Sequence, residues 1–233
     1  MRVTHLLLAA ALTATVSAAA SAATVTFTKL TGLTGHSPAA TAVYRADLSS
    51  VALGNIQSIT IQDNSAGLGG SAGQFSGFDL DAIALSTTSC ADASCAAGLS
   101  GLAVFDFSSG TLLTPGSQRA PVDAKLFGTN ALGTGVDNAV ATLGLFDGDS
   151  TTAIPGAFGF LSMGDNGILS FNLTSSTSTA GLYLYIGEVG DNGEVAAASI
   201  SVSDRPVGVP EPATLALLGL GLAGLAASRR RRD

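Results

Sequence analysis

Tryptophan is absent, and Lys and Arg together number only ten in 233 residues, with charged residues making up 12% of the chain. That is about half the usual charged share of a soluble domain. Apart from Arg2 and residues 229–233, five basic residues (Lys29, Arg45, Arg119, Lys125 and Arg205) stand against sixteen acidic ones, a balance near −11. Such a surface repels phosphate backbones and excludes nucleic acid as a partner. Histidine occurs only at His5 and His36 and cysteine only at Cys90 and Cys95, too few ligands for a zinc centre. The glycine-rich stretch 67–73 has no P-loop lysine, and its Gly-Gly-Ser-Ala-Gly run lies in loop sequence with no helix to follow. Thirteen Phe and Tyr, most needed inside, leave few platforms for stacking sugar rings. Together these shortages argue against an enzyme.

What is present is concentrated at the two ends. Residues 1–22 combine a basic start at Arg2, an apolar run from Leu6 to Val16 and small residues ending in Ala20-Ser21-Ala22. Those are the parts of a secretory signal peptide, with cleavage expected before Ala23. At the other end, residues 213–228 carry no charge and four arginines follow, Arg229, Arg230, Arg231 and Arg232. As a helix this run is about 24 Å long, a short transmembrane helix whose arginines would sit on the cytoplasmic side of the inner membrane. Pro210 and Pro212 flank Glu211, removing two backbone donors and holding the preceding segment extended.

The order Val209-Pro210-Glu211-Pro212, apolar run, arginine cluster resembles the PEP-CTERM sorting signal. The resemblance implies export across the inner membrane of a Gram-negative bacterium, transient anchoring by the tail, and processing by an exosortase. It also implies delivery to the cell envelope, the surface or an extracellular matrix such as a biofilm rich in exopolysaccharide. In that role Val209, Pro210, Glu211, Pro212 and the four arginines are read by another enzyme and perform no chemistry themselves.

Between the ends, residues 23–207 hold only two lysines and two glutamates, and no long stretch of helical periodicity. Short runs alternate with period two instead: residues 24–28, 78–81, 168–173, 182–186 and 198–203, with further candidate strands at 42–48, 58–62, 102–107 and 139–146. Turn clusters of Gly, Ser, Asn and Asp separate them. The pattern predicts an all-β domain, an antiparallel two-sheet sandwich of jelly-roll type.

Cys90 and Cys95, separated by four residues in an exported chain, predict a structural disulfide. The carboxylates Asp79 and Asp81, on one side of a strand, and Asp147 and Asp149, in one loop, are the candidate calcium ligands, and calcium is the one cofactor the composition suggests. Solvated acidic residues are the plainer outcome for them. The tetrapeptide Gly-Asp-Asn-Gly occurs at 164–167 and 190–193 and predicts a hairpin turn used twice. The expected role is an exported, non-catalytic envelope or matrix protein with a sorting tail at 208–233. A calcium-dependent or carbohydrate-binding surface module is the alternative.

Overall fold

Ten strands and three short helices follow one another along the chain in the computed structural model, which describes residues 20–35, 39–64, 71–149 and 159–208 and Gly221. The strands are β1 (Ala22–Thr24), β2 (Thr28–Lys29), β3 (Thr41–Asp47), β4 (Asn55–Gln62), β5 (Asp79–Ser86), β6 (Thr111–Thr114), β7 (Leu161–Ser162), β8 (Ile168–Ser178), β9 (Tyr183–Val189) and β10 (Ser199–Ser203). The helices are α1 (Ala93–Ala97), α2 (Asn138–Ala141) and α3 (Glu194–Ala197). Contacts divide the chain into a β unit, Ala20–Val207, and a second unit formed by residues 1–19 and 208–233. The predicted signal peptide and C-terminal helix and all eight predicted sorting residues fall largely on the second unit, outside the described residues; His36 also lies outside the described residues. Among the described residues, no helix is long and apolar enough to cross a membrane.

Two five-stranded antiparallel sheets form the β unit, in the orders β1-β10-β4-β8-β6 and β2-β3-β9-β5-β7. The first half of the chain pairs with the second in reverse: β1 with β10, β3 with β9, β4 with β8, and β5 with β7. Strand alternation supplies the core between the sheets. Ile59 and Ile61 of β4, Leu169 and Phe171 of β8, and Ile200 and Val202 of β10 meet Leu80, Ile83 and Leu85 of β5 and Leu184 and Ile186 of β9 in one buried cluster. Each such side chain, almost fully buried, contributes about 1.5–3 kcal/mol relative to exposure.

Alternation over residues 24–28 is real, with Val25 buried and Thr26 exposed, but the run is split. Its start pairs with β10 in one sheet and its end with β3 in the other, so Val25 and Phe27 bridge the two layers. β1 also begins at Ala22, one residue before the cleavage point expected from sequence.

Two predicted strands are corrected. Residues 102–107 make a single bridge, Phe105 with Leu173. The Asp106 carboxylate accepts the Ser108 N–H at 2.9 Å and the Ser108 and Ser109 hydroxyls at 2.5 and 2.6 Å, turning the chain before a ladder can extend. The apolar content survives: Phe105 and Phe107 meet Phe171 edge-on at 5.7 and 6.1 Å. Residues 139–146 begin in α2 instead. Asp137 accepts the Ala139 N–H at 3.2 Å, Asn138 accepts the Leu143 N–H at 2.9 Å, and Thr142 takes φ 44°. Capping by short polar side chains outweighs the β-branched content there.

Candidate functional site

Both Gly-Asp-Asn-Gly copies lie where the chain passes from one sheet to the other, the first between β7 and β8 and the second between β9 and β10. They are therefore inter-sheet crossings, where a hairpin was expected. Asn166 (φ 65°) and Asp191 (φ 50°) adopt left-handed backbone, which Asn and Asp tolerate better than most residues.

A buried carboxylate anchors each crossing. Asp63 Oδ2 accepts the Asn166 N–H at 2.9 Å, and Glu188 accepts the Gly193 and Val195 N–H groups at 2.6 and 3.0 Å. The aspartate of each tetrapeptide faces a base. Asp165 lies 3.3 Å from the Arg119 Nε, and Asp191 pairs with Lys29. Two of the body's few basic residues are thus used to hold these turns.

Asp79 does not sit with Asp81 as a pair of open ligands. Its Oδ1 accepts the Ser162 hydroxyl at 2.5 Å, and its backbone N–H donates to Glu194 Oε2 at 2.9 Å. Burial raises Asp79 to about 8, against the Ser162 hydrogen bond and the Arg119 charge. Burial and then the neighbouring Asp79 raise Glu194 to about 9. Glu188 accepts the hydroxyl of Tyr44, whose own proton is held more tightly because of burial and the Glu188 charge. Asp79 and Glu194 form an interior, proton-bearing pair.

Asp81, fully buried, accepts the Thr41 hydroxyl at 2.5 Å and the Gly148 N–H at 3.0 Å, and shares a hydrogen bond with Asp147. Burial pushes it well above the ordinary carboxylate range, and Asp147 adds to the effect. The structure therefore brings together one member from each predicted pair. Asp149 remains apart, its N–H bonded to the Ala39 carbonyl at 2.9 Å and its carboxyl raised by burial. Carboxyls in direct hydrogen-bond contact leave no room for the glycan and water that two-carboxylate hydrolysis requires. Among the described residues, no three His, Cys, Asp or Glu side chains gather in a metal-holding group.

Cys90 and Cys95 are bonded, with Cα atoms 5.5 Å apart. Asp92 starts α1 by accepting the Cys95 N–H at 2.8 Å. The segment covers the outer face of the β2-β3-β9-β5-β7 sheet: Cys90, Ala93 and Ala96 pack on Leu30, Val43 and Tyr185. The Tyr185 hydroxyl donates to the Thr88 carbonyl at 2.7 Å and accepts the Cys90 N–H at 2.8 Å. Tyr183 and Tyr185 had the spacing of a wet face, and the disulfide segment is what makes that face interior.

Sequence reasoning missed Asp63, Glu188 and Glu194. One signal was available: the β unit's two glutamates both lie within seven residues, around the second tetrapeptide.

At the end of the β unit, Ser203 of β10 stands opposite Ala22 of β1. Ser21 N–H donates to Asp204 Oδ1 at 2.9 Å, and Asp204 N–H donates to the Ser21 carbonyl at 3.1 Å. The first and last segments of this unit are thus joined side by side at one corner. Immediately beyond, residues 208–232 match the family model described as the PEP-CTERM protein-sorting motif. No curated protein and no solved structure matches the chain.

Proposed function

We propose that this PEP-CTERM domain-containing protein is an exported, non-catalytic component of the cell envelope or extracellular matrix, handed to an exosortase by its tail. The observation that carries the proposal is the sorting motif at 208–232, directly after the last strand of an independently packed β unit. In this scheme residues 1–22 direct export, residues 213–228 stall in the inner membrane, and the exosortase acts near Glu211. The product then joins the envelope or an exopolysaccharide-rich matrix.

The pairing of β1, β3, β4 and β5 with β10, β9, β8 and β7 supports assigning the β unit to the jelly rolls, with β2 and β6 as added edges. The non-catalytic role is supported by how the acids are used, since the buried carboxylates accept hydrogen bonds from turns and hydroxyls of the unit itself.

Fractionation of cells making the full chain, or a chain lacking residues 209–233, tests the proposal. The full chain should reach the envelope or medium without Arg229 to Arg232 by mass spectrometry, and the shortened chain should be released differently. An intact arginine cluster on envelope protein overturns exosortase sorting.

A further inference from the structure

We infer that the leader is cut between Ala20 and Ser21, and that the amine this frees forms an ion pair with Asp204. The inference rests on the export proposal and deepens it. Residues 17–23 read Ser-Ala-Ala-Ala-Ser-Ala-Ala, so two Ala-x-Ala sites satisfy the leader-cleavage rule, one ending at Ala20 and one at Ala22. Sequence alone pointed to the second, but the two products differ in the fold they can complete.

A cut after Ala22 deletes the first residue of a three-residue strand and the Ala22 to Ser203 pairing. It also removes Ser21, and with it both hydrogen bonds that close the corner against Asp204. A cut after Ala20 keeps all of these. Ala20, Ser21 and Ala22 are exposed, so the residues kept are held by hydrogen bonds at the edge and not by core packing.

The chemistry at Ser21 also improves. Hydrolysis adds one water across the Ala20–Ser21 peptide bond: the C–N bond breaks, the hydroxyl goes to the Ala20 carbonyl, and the Ser21 nitrogen gains the water's other proton and then the acid's, leaving a carboxylate on Ala20 and an ammonium on Ser21. A free α-amine has an ordinary pKa of about 7.7–8.0, so it is largely charged at neutral pH. The nitrogen that now donates to Asp204 Oδ1 at 2.9 Å would then carry a positive charge against a carboxylate, with three donors in place of one. Ser21 and Asp204 open onto a shallow polar cavity of about 340 Å³ lined also by Asn55, Gln57 and Ser176, and none of its lining residues is basic. The ammonium supplies the missing positive charge at that wall.

The test is the intact mass and N-terminal sequence of the exported protein, with a second measurement on the amine. A first residue of Ser21 is the expected result. A chain starting at Ala23, or at any other cleaved position than Ser21, overturns the inference and leaves export standing, whereas a chain still starting at Met1 overturns the export proposal as well. In protein starting at Ser21, Asp204→Asn should weaken proton binding by the amine about threefold, the scale of an exposed ion pair, read from the pH dependence of its acylation rate. An unchanged profile overturns the pairing.

Discussion

Replacing Asp79 with Asn and Glu194 with Gln removes two buried carboxyls while keeping their shape and acceptor oxygens. Burial raises these groups to about 8 and about 9, from ordinary values of 3.8 and 4.5. The folded protein therefore holds protons that the unfolded chain has already released. Stability is complete below the ordinary carboxylate range and is lost as pH rises through the raised values, so it falls between about pH 5 and about pH 8. One retained proton gives a slope of about 1.4 kcal/mol per pH unit, and two carboxyls titrating as a unit give up to about twice that. Asp81 contributes in the same direction in both proteins. Asp47 and Asp106, held low chiefly by the hydroxyls of Ser49 and Ser108, act with the opposite sign but only in acid. Urea unfolding of both proteins at several pH values across the window measures the difference. The double variant should lose at least about 1.4 kcal/mol per unit of slope and become the more stable protein at the alkaline end. Equal slopes would refute the claim that this pair is protonated inside the fold.

Reducing the Cys90–Cys95 bond, or replacing both residues with Ser, should cost about 2 kcal/mol by the chain-entropy estimate for so short a loop, seen as a lower Tm. Tyr185→Phe leaves the Cys90 N–H buried without its acceptor and should cost about 1–3 kcal/mol in urea unfolding, with no change in disulfide content. Calcium or EDTA should leave the Tm unchanged, because the oxygens of Asp79 and Asp81 already accept hydrogen bonds from the protein and burial raises both groups above the ordinary carboxylate range. A calcium-induced rise in Tm that Asp147→Asn abolishes would instead establish a cation site.

The strands easiest to read in the sequence were β8, β9 and β10, where period two runs unbroken and one face enters the core. Periodicity failed where short polar side chains recruit the local backbone, as Asp106 and Asp137 do, because those bonds compete with a ladder over only a few residues. It also misjudged what covers β9, since burial of Tyr185 depends on a disulfide segment about ninety residues earlier. The acidic residues were grouped by spacing, Asp79 with Asp81 and Asp147 with Asp149. Folding regrouped them by topology, placing Asp79 against Glu194 and Asp81 against Asp147. The sorting tail was legible for the opposite reason: a processing enzyme reads an address in sequence order, so nothing distant is needed to recognise residues 208–232.

The way the sheets end bears on how such a protein can join a larger structure. Their four outer strands, β1, β6, β2 and β7, have three, four, two and two residues. Edges this short offer few unpaired N–H and C=O groups to a second copy, which is how sheet proteins avoid edge-to-edge polymerisation. Long strands such as β8 and β9 are kept inside the sheets, each with a neighbour on both sides. The β unit is thus poorly suited to building a matrix by strand addition. On the proposed reading, attachment comes instead through the segment that follows β10, where the sorting motif lies. Because β1 and β10 pair antiparallel, the start of β1 and the end of β10 meet at one corner of the β unit, closed by Ser21 and Asp204.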